Sequence, residues 1–316
     1  MLWIARAIIN RLMGMLIVLA LVVTVVFIIV RVTPGDPAAV MLGSDATPQD
    51  IAELRSRMGL DAPMLVQYGQ FVLGIFKGDL GQSIFLNQPV TQALASRAEP
   101  TFFLTLFSIL IAVLIALPVG ILSAVKRGTV FDQSVVTLTM IAASVPSFWL
   151  GLMLIQIFAV KFGWFPASGY GGPDTSFLVR LRHLVLPAVA LGVVNSALIT
   201  RFTRAAMLDV LGDDYIRTAR AKGSSESRVI LKHAFKNALV PIITVTGLSI
   251  AMLVAGAVVT ETVFGLPGIG NLVVSAVLRR DYPVIQGTLL VVAAIYVLIN
   301  FMVDMLYILV DPRVRQ

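Results

Sequence analysis

The sequence predicts an all-α integral membrane protein with six transmembrane helices, and three observations carry that prediction. Mean hydropathy is +0.93 and only 13% of residues are charged, against roughly a quarter in a soluble domain. Six long stretches hold no Asp, Glu, Lys or Arg, and about 20 helical residues cross a hydrocarbon core about 30 Å thick. The period-2 alternation of a barrel strand is absent, so the backbone polar groups must be satisfied inside helices.

The first stretch is Leu12–Val30, preceded by Arg6 and Arg11. It also admits a signal-peptide reading. Against that, the apolar run is longer than the usual 7–15 residues and RVTPGDPAA follows with no A-x-A cleavage site. Segment 33–99 reads as an outer insertion. Within it, TPQDIAELRSRMGL carries a Thr47 N-cap, an acidic first turn and apolar spacing at Ile51, Leu54 and Met58, closed by Gly59. Met64, Leu65, Tyr68, Phe71, Val72 and Ile75 then share one face of a second helix, with Gln67 and Gln70 inside it. That helix is too short to span and is expected at the outer surface.

The remaining spans are Thr101–Val125, Gln133–Val160, Leu184–Thr200, Asn237–Thr260 and Tyr282–Val303. The fourth is the shortest, with Arg201 and Arg204 expected as snorkelling anchors at its inner end. Asp281 is placed to cap the last span, with Pro283 acceptable in its first turn. Pro118, Pro146, Gly151, Pro187, Gly192 and Gly247 mark kinks and close helix contacts, or hinges. The chain thus divides into an N-terminal helix (1–32), the insertion (33–99) and a five-helix core (100–316).

The net charge of +7 follows topology rather than nucleic-acid binding. With the N-terminus inside, the inner segments hold fourteen Lys and Arg and the two short outer loops hold five. Absence of cysteine excludes disulfides and thiolate chemistry. No Gly-Lys pair exists, hence no Walker A loop, and GLPGIG does not match a dinucleotide fingerprint. His183 and His233 fall on opposite sides of the membrane. No catalytic, cofactor-binding or metal-ligating residue is expected.

Polar residues inside the spans include Ser144, Ser147, Gln156, Asn195, Ser196, Thr200, Thr244, Thr246, Ser249, Gln286 and Asn300, with Glu261 and Asp304 near span ends. Such groups are expensive in lipid and face either a neighbouring helix or a wet passage. The passage candidates are Ser144, Ser147, Asn195, Thr246, Ser249 and Glu261. Pro267, Gly268 and Gly270 of GLPGIG form either a re-entrant gate or a plain turn.

Between spans four and five lies DYIRTARAKGSSESRVILKHAFKNALVP. Asp213 or Asp214 is placed to cap one short helix, Gly223 to end it, and Ser224 or Ser225 to cap a second with Glu226 in its first turn. On the second helix Arg228, Lys232 and Lys236 share one face and Leu231, Phe235 and Ala238 another. A lipid-headgroup tract needs only charge. The helix, glycine, helix order and the small tip of Thr218, Ala219, Ala221 and Gly223 fit a groove on another protein better. The residues of that docking surface are Arg217, Thr218, Ala219, Arg220, Ala221, Lys222, Gly223, Arg228 and Lys232.

This stretch resembles the EAA loop of ABC importer permeases, in the dipeptide, oligopeptide, glutathione and nickel family. TPGDPA at 33–38, GLDAP at 59–63, GDLGQS at 78–83 and ETVFGLPGIG with RRDYPVIQG inside 261–287 are similar to the first of that family's two permease subunits. One departure is visible: Arg217-Thr218-Ala219 stands at the Glu-Ala-Ala position, and His233-Ala234-Phe235-Lys236 at the Ile-x-Leu-Pro position.

The resemblance implies a type I, MetI-like architecture with a periplasmic insertion and a cytoplasmic coupling loop at 201–237. It also implies a second homologous permease, two ATPase subunits that bind ATP and Mg, a periplasmic solute-binding protein, and a peptide substrate moved by alternating access in a bacterial inner membrane. Glutathione and nickel chelates are alternative cargoes. A secondary transporter is the main rival, and it would need a mid-span ionisable group that the sequence does not show. A membrane enzyme or lipid-sensing scaffold is the other.

Overall fold

The computed structural model describes residues 2–32, 37–42, 46–57, 59–172 and 174–310. Residues 33–36 of TPGDPA, Met58 and the tail beyond 310 lie outside them. The described residues form helices, with one isolated bridge between Gln82 and Pro89 as the sole extended pairing among them.

In chain order the helices are α1 (Leu2–Val32), α2 (Pro37–Leu42), α3 (Pro48–Arg57), α4 (Met64–Phe76), α5 (Val90–Val125), α6 (Val130–Ser144), α7 (Ser147–Leu154), α8 (Phe177–Leu211), α9 (Asp214–Ala221), α10 (Glu226–Arg228), α11 (Phe235–Val263), α12 (Ile269–Arg279) and α13 (Tyr282–Val310). Five of the runs they form are long and apolar enough to cross a membrane, and six if the bent pair α6 and α7 counts as one. Their outer faces are apolar: Leu16 and Leu21 are 63% and 61% exposed, and Leu114 is 72% exposed. A water-surrounded protein rarely presents such continuous apolar faces, whereas a bilayer requires them.

The third expected span is corrected by the structure. It breaks between Ser144 and Ser147 with a bend of 95°. Val145 takes an extended conformation (φ −85°, ψ 123°), because the residue before a proline is pushed out of the helical region. Past α7 the chain winds into a π-turn over Ile155–Lys161. Pro118, Pro187 and Pro241 sit inside unbroken helices. The fourth span is also longer than its charge-free core, since α8 starts at Phe177 and takes His183 into its second turn.

The chain forms two compact units. The first is built on Pro100–Pro267 with the end of α13. Its core lies where α8 packs against α11, α6 and α7, and it holds Leu104, Leu184, Leu191, Leu253, Phe264 and Leu266. Close approach needs small residues: a Cβ on Gly192 would lie 2.8 Å from Ile111 Cγ2 and 2.9 Å from the Ser108 carbonyl oxygen, and one on Gly151 would lie 2.8 Å from the Phe264 ring. These glycines are packing contacts, as the sequence suggested.

The second unit comprises Ile9–Glu99 and Gly268–Val297. The Thr47 cap of α3 forms as a reciprocal pair: the Asp50 amide donates to Thr47 Oγ1 (3.2 Å) and the Thr47 amide donates to Asp50 Oδ2 (3.0 Å). That is a capping box with Asp in the acidic position. Helix α4 is held on α1 by Arg31, whose guanidinium donates to Gln67 Oε1 (3.2 Å), and by the Thr24–Tyr68 hydroxyl pair (2.9 Å). Gln67 is thereby explained inside an apolar helix, since its amide also donates to the Leu60 and Ala62 carbonyls. Val90, Leu94, Ile269, Leu272 and Val284 form this unit's main core.

Candidate coupling elbow and solute path

Helix α8 runs 35 residues, about 50 Å at 1.5 Å per residue, so it outreaches the bilayer and carries the elbow beyond it. The turn after α9 is set by three bonds. The Gly223 amide donates to the Arg220 carbonyl (2.9 Å), the Ser224 amide to Ala219 (3.2 Å) and the Lys222 amide to Thr218 (3.0 Å). The first two are the nested pair of a Schellman motif, which needs a left-handed residue at Gly223. Its φ is +78°. Asp213 and Ser225 occupy the two N-cap positions in extended conformation but make no side-chain cap bond. Glu226 instead closes the turn as an ion pair, its carboxylate accepting from Arg220 Nη2 (2.7 Å) and Nε (3.1 Å).

The expected second short helix is corrected. From Glu226 the chain runs as one helix to Val263, so the elbow's second arm is the lower part of span five. A π-turn over Val229–Ala234 inserts an extra residue. The buried face is therefore Val229, Ala234 and Ala238, five and then four residues apart, while Leu231 is 61% exposed. These residues join Ile216, Ala206, Met207 and Ile242 in one apolar cluster. Asn237 Nδ2 ties the back of the elbow by donating to the Tyr215 hydroxyl (2.7 Å) and the His233 carbonyl (2.9 Å).

With its apolar side spent on this cluster, the elbow presents Arg217, Thr218, Arg220, Ala221, Lys222, Gly223, Arg228 and Lys232 as exposed; Ala219 is half-buried against the cluster. A Cβ on Gly223 would meet nothing within 4 Å. The tip is basic, small and open, while the base is pinned.

Sequence reasoning missed the group that ties α5, α6 and α8 together near the elbow. Arg204 does not snorkel. It donates from Nε to Asp132 Oδ1 (2.6 Å) and from Nη2 to Asp132 Oδ2 (2.8 Å), with the Asp132 side chain 5% exposed. Asp132 also accepts from Ser123 Oγ (2.5 Å) and the Gly128 amide (2.9 Å). One carboxylate thus gathers α5, α6 and α8, and four donors make up for its burial. A lone acid among the basic residues of 126–132 was the signal available.

The passage candidates do not share one environment. Ser144 is exposed and bonded to the Met140 carbonyl (3.0 Å), and with half-buried Ser147 it flanks the α6–α7 break. Asn195 and Thr246 are half-buried and donate to the carbonyls of Leu191 (2.8 Å) and Ile242 (2.8 Å). Ser249 and Glu261 are fully enclosed, and Glu261 Oε1 accepts from Thr101 Oγ1 (2.6 Å). In GLPGIG, Leu266 is buried and its amide donates to the Glu261 carbonyl (2.9 Å). Pro267 is exposed, Gly268 and Gly270 are buried, and α12 begins at once. Among the described residues no cluster of His, Asp or Glu is arranged for a metal.

Two family models cover the chain. Residues 4–105 match the N-terminal part of binding-protein-dependent transport system membrane components, and residues 116–316 match the inner membrane component itself. The chain is 43% identical to the di/tripeptide transport system permease protein of Pseudomonas aeruginosa, over 97% of this chain and 98% of that one. It is 41% identical to the dipeptide transport system permease protein of Escherichia coli, over 92% of each. Among solved structures, inward-facing forms of the MetNI methionine ABC transporter align with TM-scores of 0.57 and 0.58 at 22% and 21% identity, over 70% of this chain and 97% of theirs. That likeness establishes the MetI-like fold. The chain therefore belongs to the family of binding-protein-dependent transport system inner membrane components.

Proposed function

We propose that this chain is the first of two permease subunits of an ATP-driven importer that carries di- and oligopeptides into the cell. The N- and C-termini and the 201–237 loop face the cytoplasm, and residues 33–99 face the binding protein. A second homologous permease, two ATPase subunits holding ATP and Mg, and a periplasmic solute-binding protein complete the machine, and this chain performs no catalysis. The observation that carries the reading is the elbow: an exposed basic tip turned on Gly223, with one arm continuous with span five and a base locked to α8.

In such a device, closure of the ATPases on ATP displaces the tip. Because α10 and α11 are joined through the π-turn into one helix, Glu226–Val263, displacement of the tip is carried along it into the membrane span. Two conformations then differ in the contacts made at the elbow, which is what a nucleotide-driven shift requires. Peptide cargo is supported by the relatives, named as dipeptide and di/tripeptide permeases.

The test is Ala221→Trp in the reconstituted importer, at an exposed helical position of the tip where a side chain brings no backbone strain. The side chain projects into the space that the ATPase cleft would fill, so peptide uptake should fall about five- to 150-fold, the range of ordinary coupling energies, while basal ATP hydrolysis persists. Ala221→Ser, which keeps the tip small, should stay coupled. Normal uptake by the tryptophan variant would contradict the reading.

A further inference from the structure

Helix α12, the start of α5 and the 83–86 turn enclose a pocket of about 110 Å³ in the second unit, lined by Phe85, Arg97, Leu272, Ser275, Arg279 and Asp281 among others. The lining holds two guanidiniums against one carboxylate, that of Asp281, and so keeps a net positive charge. The Asp281 oxygens are committed to Ser83 Oγ (2.5 Å), the amides of Ile84 and Phe85 (3.3 Å each) and the Val284 amide (3.5 Å). Arg97 is half-buried and makes no ion pair or hydrogen bond with any described residue, and Arg279 is exposed, with the Phe85 ring 5.9 Å from its guanidinium. Guanidinium donors left open beside a pocket are strong partners for an anion.

We propose that this pocket is an end-group subsite for the free C-terminal carboxylate of a peptide. Arg97 and Arg279 bind the carboxylate and Ser275 donates to it. Leu272, Ala276 and Val284 receive the last side chain. The volume suits that assignment: one water needs about 10–15 Å³ by this measure, so the pocket takes a carboxylate with a few carbons and not a whole solute. The proposal rests on the peptide-importer reading and deepens it, since residues 85–97 and 275–284 lie on the side assigned to the binding protein.

The chain has no cysteine, so Ser275→Cys places its one thiol in the pocket. The assembled importer is reconstituted in phosphatidylcholine vesicles, where no anionic lipid competes, and labelling of this chain is followed with thiosulfonate reagents of opposite charge. Two unpaired arginines should favour the anionic over the cationic reagent by about tenfold or more, and Arg97→Gln or Arg279→Gln should each erode that preference. Alanyl-leucine should slow labelling and alanyl-leucinamide should not. Equal labelling by both reagents overturns the anion site. Anion preference without protection by alanyl-leucine, in vesicles that still import peptide, overturns the carboxylate assignment and leaves the importer reading standing. Vesicles with the wild-type chain that import no peptide, with alanyl-leucine still protecting the Ser275→Cys chain, would instead fail the importer reading and support the subsite.

Discussion

Arg204 and Asp132 form a two-pronged ion pair, 2.6 Å and 2.8 Å, between residues 72 apart in sequence. It lies two turns before α8 ends and the elbow begins. Removing one partner leaves a nearly buried charge uncompensated, which costs about 3–5 kcal/mol. Asp132→Ala and Arg204→Ala should each lower the thermal unfolding midpoint of the detergent-solubilised importer. The double variant should lose less than the sum, because the interaction is counted twice. Additive losses would show that the two side chains do not act together.

Gly192 has no room for a methyl group between Ile111 Cγ2 and the Ser108 carbonyl, at 2.8 and 2.9 Å. Gly192→Ala forces α5 and α8 apart and should cost about 1–3 kcal/mol. Gly14→Ala, where a Cβ meets nothing within 4 Å, should be neutral in the same unfolding assay. Equal effects would refute the tight α5–α8 contact.

Asp281 holds the turn after GDLGQS through Ser83 and the amides of Ile84 and Phe85 while capping α13. Asp281→Ala strips these donors of their acceptor, each at about 1–3 kcal/mol if left buried. Limited proteolysis should then cut near residues 84–86 faster than in the wild type. An unchanged rate would mean that the turn is held by something else.

How much of this was legible in the sequence depends on the range of the interaction. The spans could be read as charge-free runs because each avoided charge concerns a single helix and its lipid. The break at Val145 could not, since Pro118 and Pro187 show the same local signal within continuous helices. At the elbow, Gly223 announced the turn, but the π-turn at Val229–Ala234 displaced the apolar face by one residue, and a 3.6-residue period assigns Leu231 to a face it does not occupy. Arg204 looked like a lipid anchor because its partner is remote in sequence. Glu226 looked like a helix-dipole charge because Arg220 meets it only after the turn has formed.

The central claim is that the elbow tip sits against an ATPase subunit. Ala221 is exposed at that tip, and Ala221→Cys gives the chain its one thiol. The most direct measurement is the reactivity of that thiol toward a soluble maleimide in membranes with and without the ATPase subunits. The account predicts strong protection when the ATPases are present, and a short bifunctional linker that joins the two chains. Equal reactivity in both membranes, with no cross-linked product, would contradict it.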